Sequence, residues 1–247
     1  MFDSSVVLSY LINGLMMGCM YALMAIGLAL ILGVLKIVNF AHGEFYMLSA
    51  YISYAASKFL GLNPFLSLIA AMIFAFFLGA VIERTLITPF YTGEAVDHYD
   101  LLITFALSIL LMNLAVVVFG PYQVSAPPLA SGFVQIGPLT VSTGRLLAAV
   151  LAMFLMIILI LVIKNTKIGI ALRATAQDRE VSSAMGVNVN RISTIGFGLG
   201  GMLSGITGAL LGSIFIVAPA MGEVPVSYTH LRAHETVLDL VCRLLLE

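Results

Sequence analysis

The sequence predicts an all-α fold, a polytopic transmembrane helical bundle of about six membrane-spanning segments with short cytoplasmic coupling helices. Three observations carry this. The 247 residues are 61% hydrophobic and 9% charged, whereas soluble domains carry about 25% charged residues. The apolar residues fall in long uncharged runs separated by short polar breaks. The third is the stretch 164–191, which holds Lys164, Lys167, Arg173, Arg179 and Arg191 against only Asp178 and Glu180, nearly half of the 11 basic residues in one place. Short loops rich in Lys and Arg stay on the cytoplasmic side, so this stretch sets the orientation of everything else. The net charge of −1 gives nucleic acid no basic surface. Cys19 and Cys242 make neither a disulfide framework nor a metal set.

In chain order, no charge occurs between Ser4 and Leu35. That exceeds the roughly 20 residues one span needs, so the first helix tilts or runs into the interface. Met1-Phe2-Asp3 lacks the basic flank of a secretory signal, and the helix is expected to be retained. Gly14, Gly18 and Gly27 offer it small contact surfaces. Residues 36–44 are then polar and lead into an uncharged run, 45–57. If the second span starts near Val38, Asn39, His42 and Glu44 enter the membrane with it. If it starts at Phe45, the segment is re-entrant or broken. A third span, 65–82, is opened by Asn63-Pro64 and stopped by Glu83-Arg84. The connection 88–100 is polar and acidic, and 101–119 is a fourth span carrying Thr104, Ser108 and Asn113.

Residues 120–144 contain four prolines and no charge. Within them, 133–136 and 139–142 flank Gly137-Pro138 and predict a small hairpin. Arg145 precedes the fifth span, 146–163. In the basic stretch, 168–177 has helical spacing, Asp178 can cap a second short helix, and Gly186 can take a left-handed stop after Met185. Two such helices would form a docking surface; the same charges also suit a loop that only enforces topology. Residues 192–222 are again uncharged. Gly196/Gly200, Gly201/Gly205 and Gly208/Gly212 give three Gly-xxx-Gly spacings, a face that lets another helix approach at backbone distance. Part of that face is expected to be exposed.

Residues 227–247 break the pattern, with five charges in 21 residues and a Leu231/Leu238/Val241/Leu245 stripe suited to a water-soluble helix. The chain therefore divides into a permease-like region, 1–226, and an amphipathic tail, 227–247, read as foreign to it. His230 and His234 are four apart but have no third ligand, and read as surface residues.

No nucleophile–base set, phosphate-binding glycine loop or metal-ligand cluster occurs, so neither enzyme nor cofactor is expected. Asn39, His42 and Glu44 remain. Ionisable groups within a membrane are costly and usually face a cavity or a partner; groups at the headgroup level, capping the second span, would look the same in sequence.

The run Tyr21-Ala22-Leu23-Met24-Ala25-Ile26-Gly27-Leu28-Ala29-Leu30, with Val38-Asn39-Phe40-Ala41-His42-Gly43-Glu44-Phe45-Tyr46-Met47-Leu48, resembles permeases of branched-chain amino acid ABC transporters of the LivH type. Arg173-Ala174-Thr175-Ala176-Gln177-Asp178-Arg179-Glu180, continuing to Met185-Gly186-Val187, is similar to that family's cytoplasmic loop. The resemblance covers residues 6 to 224. It implies a bacterial inner-membrane subunit that pairs with a second, homologous permease, two cytoplasmic ATPases and a periplasmic substrate-binding protein. Arg173, Ala174, Asp178, Arg179, Glu180 and Gly186 would then belong to the ATPase-coupling loop, with ATP bound by the partner. About two further helices are implied where the tail stands. Urea and amide permeases share the Asn-x-Ala-His-Gly-Glu pattern, and a stand-alone channel or secondary carrier would use His42 and Glu44 for protons.

With 164–191 inside, Lys36 and Arg84 also fall inside, while the N-terminus, Lys58 and Arg145 fall outside. Cysteines at Thr166 and Ser131, in a background lacking Cys19 and Cys242, are expected to react from opposite sides with an impermeant thiol reagent. Labelling of position 166 from outside intact cells would overturn this topology.

Overall fold

The computed structural model describes residues 4–90, 99–136 and 139–222. Helix α1 (Ser4–Leu35) runs through 32 residues, having neither proline nor charge to interrupt it. It stops at Lys36, which takes a left-handed φ of 58° while its N–H closes on Leu32 O at 2.8 Å. This conformation disfavours any residue but glycine. The turn sends the chain back along α1, and residues 36–41 are non-helical, with Ile37, Asn39 and Ala41 buried and Val38 and Phe40 partly so. Such backbone is tolerated at membrane depth only where protein encloses it.

Helix α2 (His42–Phe59) starts at His42, between the two starts the sequence allowed. Asn39 therefore lies in the lead-in, and His42 and Glu44 in the first turn. Helix α3 (Pro64–Ile82) begins as the sequence predicts, with Asn63 Oδ1 accepting from Leu66 N–H and Pro64 in the first turn. It does not stop at Glu83-Arg84. A π-helical turn, Glu83–Ile87, carries it on into α4 (Thr88–Phe90). The stop signal fails because the Glu83 side chain turns inward, where neighbouring hydroxyls satisfy it.

Helix α5 (Tyr99–Phe119) is followed by strands β1 (Phe133–Ile136) and β2 (Leu139–Ser142), antiparallel with Phe133 opposite Ser142. Helix α6 (Thr143–Asn165) includes Arg145 in its first turn, where Nη1 donates to Asn13 Oδ1 at 3.2 Å. Two short helices, α7 (Lys167–Gln177) and α8 (Arg179–Ala184), lead into α9 (Val189–Gly212). The helix ends at Gly212, ten residues short of the uncharged run. Beyond it Val217 pairs with Val124, and the chain turns back towards α2. The acidic residues Glu94 and Asp97 and the tail 227–247 lie outside the described residues.

Five helices among the described residues are long and apolar enough to cross a membrane: Val6–Leu35, Pro64–Ile87, Leu101–Phe119, Thr143–Asn165 and Val189–Gly212. Helix α2 would be the sixth. It has 18 residues but is too polar to qualify; it packs against α3, α5 and α9 and touches α1 through His42. Helix α9 is the hub, 83% buried over its apolar window against 22% for α5. Its glycines all face the chain's own helices, so the expected exposed glycine face does not occur. Gly200 meets Gly27 and Ile31 of α1, Gly196 meets Val34 and Leu172, and Gly201 and Gly205 meet Ala75 with Phe45 or Ser49. Gly212 meets Ala50, and at Gly208 an added Cβ would clash with Tyr46 O. Only a residue without a side chain fits there, and the α2 and α9 backbones pass in contact.

Gly208→Ala should therefore push α2 from α9 and cost roughly 1–3 kcal/mol, the range of core overpacking. Gly14→Ala, where nothing lies within 4 Å, should be neutral or slightly stabilising. Thermal unfolding midpoints of the purified protein in detergent would separate the two; equal midpoints would refute the close-packing account.

Candidate functional site

Two polar centres lie within the apolar bundle. The first surrounds the start of α2. His42 Nε2–H donates to Met24 O at 3.2 Å, and Ser204 Oγ donates to His42 O at 2.8 Å. Met24 lies eleven residues before the end of α1, about 16 Å at helical rise. Ser204 lies fifteen residues into α9, about 22 Å. The first turn of α2 thus sits near the middle of a roughly 30 Å hydrocarbon core and not at its boundary.

Asn39 is fully buried, and its Oδ1 accepts from Ala41 N–H at 3.1 Å. Its Nδ2 has no hydrogen-bond partner among the described residues. Glu44 is 4% exposed, and its Oε1 accepts from Ser108 Oγ at 3.0 Å. Thr104 Oγ1 donates to Val38 O at 3.1 Å, tying the lead-in to α5. The structure thus brings Asn39, His42 and Glu44 together at one turn and adds Ser108 and Thr104, which the sequence showed only as polar positions in a span. Their four-residue spacing was the available signal, since it puts them on one face of α5.

The second centre lies at the end of the bundle that carries α7 and α8. Glu83 is 1% exposed, with Oε1 accepting from Thr88 Oγ1 at 2.8 Å and Oε2 from Thr194 Oγ1 at 2.5 Å. Thr194 has a single hydroxyl proton, and it goes to the nearer Glu83 oxygen in preference to Asn190 O at 3.0 Å. Beside it opens a cleft of about 610 Å³ lined by Glu83, Thr88, Arg179, Glu180, Ser183 and Asn190. Glu83 reads in the sequence as a helix stop; nothing local reveals that it is buried.

The predicted loop residues divide in two. Asp178 Oδ1 accepts from Glu180 N–H at 2.9 Å and Val181 N–H at 3.0 Å, capping α8. Gly186 has φ 88°, and Val187 N–H closes on Ser182 O, the left-handed stop that glycine permits. Arg179 turns inward, its Nη2 donating to Ser193 Oγ at 3.2 Å. Arg173 and Ala174 are half-buried, and Glu180 is exposed. Two apolar side chains are exposed beside it, Val181 of α8 at 58% and Met185, just after α8, at 81%.

Enclosed ionisable groups in a many-helix apolar bundle, with short helices standing at one end, define a multi-pass membrane protein of the transport class. The chain belongs to the family described as the branched-chain amino acid transport system / permease component, whose model matches residues 10–230. It is similar to the high-affinity branched-chain amino acid transport system permease protein LivH of Salmonella typhimurium, 29% identical over 229 residues that cover 87% of this chain and 74% of that protein. The corresponding BraD of Pseudomonas aeruginosa is 30% identical over the same shares. A probable LivH of Methanocaldococcus jannaschii is 27% identical over 210 residues, 82% of this chain and 65% of that protein. No solved structure matches the chain.

Removing the Glu83 carboxylate leaves the Thr88 hydroxyl without its acceptor and the Thr194 hydroxyl with only Asn190 O. Glu83→Ala should lower stability by about 1–3 kcal/mol, and Glu83→Gln, whose amide oxygen still accepts, by less. Denaturation of the two variants side by side checks the order; a silent alanine variant would contradict it.

Proposed function

We propose that this chain is a permease subunit of an ATP-driven importer that carries branched-chain amino acids across the bacterial inner membrane, with its N-terminus outside. The observation that carries the reading is the family match over nearly the whole chain, joined by relatives whose names state that transport. Residues 1–226 form the permease domain in this reading. A second homologous permease completes the pathway, and a periplasmic binding protein delivers substrate. Hydrolysis belongs to two cytoplasmic ATPase subunits.

The ATPase docks on α7 and α8. Val181 and Met185 offer it an apolar contact on an otherwise charged surface, as hydrophobic anchors do at protein interfaces. Asp178 and Gly186 fix the two ends of α8. Inward-turned Arg179 ties α8 to α9 through Ser193, so a push on α8 reaches the helix against which α1, α2 and α3 pack. Asn39, His42 and Glu44 serve the pathway side of the same machine.

Uptake of labelled leucine, with labelled urea as the comparison, by the complete complex in proteoliposomes tests the substrate; urea uptake without leucine uptake would overturn it. Gly186→Pro removes the left-handed stop and should abolish ATP-dependent uptake while leaving membrane levels unchanged. Full uptake by a normally inserted Gly186→Pro protein would exclude docking through this loop.

A further inference from the structure

Helix α3 does not run evenly into α4. Between them the π-turn Glu83–Ile87 closes on a five-residue bond, Thr88 N–H donating to Glu83 O, and so holds one residue more than an α-turn would. The faces of the helix depend on that extra residue. Ile82 and Ile87 are both buried in the main apolar cluster, and Glu83 and Thr88 both line the cleft beside α8. Residues five apart stand about 140° apart on an α-helix at 3.6 residues per turn, which would turn one member of each pair away. Arg84 and Thr85, both exposed, occupy the outer side of the turn.

Glu83 clasps this turn twice. Its main-chain oxygen takes the Thr88 N–H, and its Oε1 takes the Thr88 hydroxyl at 2.8 Å; the second bond lasts only while the two residues share a face. Oε2 takes the hydroxyl of Thr194 at 2.5 Å, and the adjacent Ser193 is the residue to which Arg179 of α8 donates. One carboxylate therefore ties the shape of the π-turn to the first turns of α9 and, one residue away, to α8. Rewinding the turn as an α-helix exchanges main-chain bonds without losing them. The Thr88 N–H passes from Glu83 O to Arg84 O, and Pro89 has no N–H to place. Single π-turns inside α-helices stand mostly at functional positions.

We propose that the π-turn is a joint with two settings at the α8 end of α3, latched by Glu83 between Thr88 and Thr194. When α8 and the start of α9 move, Thr194 releases the carboxylate and the turn winds into an α-helix. The segment that follows α3 then rotates by about 100°, the angle of one residue. The joint rests on the importer reading for what drives it, an ATPase docked on α7 and α8, and it gives that motion a path into α3.

The test uses Ile87→Cys in a background with Cys19 and Cys242 replaced by serine, in membranes open to a thiol reagent on both sides. Position 87 should label slowly in this parent. Thr88→Val, which removes the bond peculiar to the π setting, should accelerate labelling about tenfold, and Thr88→Ser, which keeps the hydroxyl, should not. Deleting Thr85 removes the spare residue and leaves Ile87 four residues from Ile82, on the same face in an unbroken α-helix. Position 87 should then stay protected even when Thr88→Val is added. In the assembled importer, trapping with ATP and vanadate should accelerate labelling in the parent and not in the deletion, and the deletion should lower leucine uptake at least about tenfold at unchanged membrane levels. No acceleration by Thr88→Val overturns the latch. Acceleration that persists in the deletion reports mere loosening and overturns the winding, and parental uptake by the deletion overturns the role in transport. If the wild-type complex takes up no branched-chain amino acid, the importer reading fails, and the labelling of the chain alone still decides the joint.

Discussion

The contact on which the rest depends is that of Gly208 with the backbone of α2 at Tyr46. In hydrocarbon there is no hydrophobic drive to bring helices together, and close packing has to supply the association. Glycine removes the only obstacle to backbone contact. With α2 set against α9 at this level, its first turn cannot lie at the membrane boundary. The lead-in from α1 must then climb back through residues 36–41, and the left-handed Lys36 is where the chain accepts the strain of that reversal.

Placing a polar turn at mid-depth creates a solvation problem, and hydroxyls solve it. Ser204 serves the carbonyl of His42, Ser108 serves Glu44, and Thr88 and Thr194 serve Glu83. Each donor except Thr88 comes from a different helix than its acceptor. A charged group in low dielectric gains more from such a bond than it would in water. These bonds therefore also specify which helices are neighbours, and in what register.

The two carboxylates occupy different mechanical settings. Glu83 joins the π-turn to the first turns of α9, beside the cleft under α8, where the chain meets the helices proposed to receive the ATPase. Glu44 lies where side chains of α2 and α5 meet. Helix α9 touches both surroundings, since Ser193 and Thr194 lie near its start and Ser204 about three turns further on. A rigid, glycine-packed rod is suited to carrying a small displacement from one centre to the other, because packed helices shift as units.

Much of the architecture was readable from one dimension. Uncharged run lengths marked five spans, Asn63-Pro64 opened α3, Asp178 and Gly186 bounded α8, and Gly137-Pro138 separated two strands, because each rests on local physics: hydropathy, capping or turn geometry. The motif around Asn39, His42 and Glu44 was visible too. Its depth was not, nor was its pairing with Ser108, because both depend on how far α2 slides along α9. Glu83 misled for the same reason: a carboxylate reads as a helix stop unless a hydroxyl 111 residues away, on Thr194, is known to meet it. The sequence by itself determined which segments are helices and that they belong in lipid, since period and polarity are properties of neighbouring residues. Only the tertiary structure decided which polar groups are enclosed and what they face, because burial is settled by contacts between segments far apart in the chain.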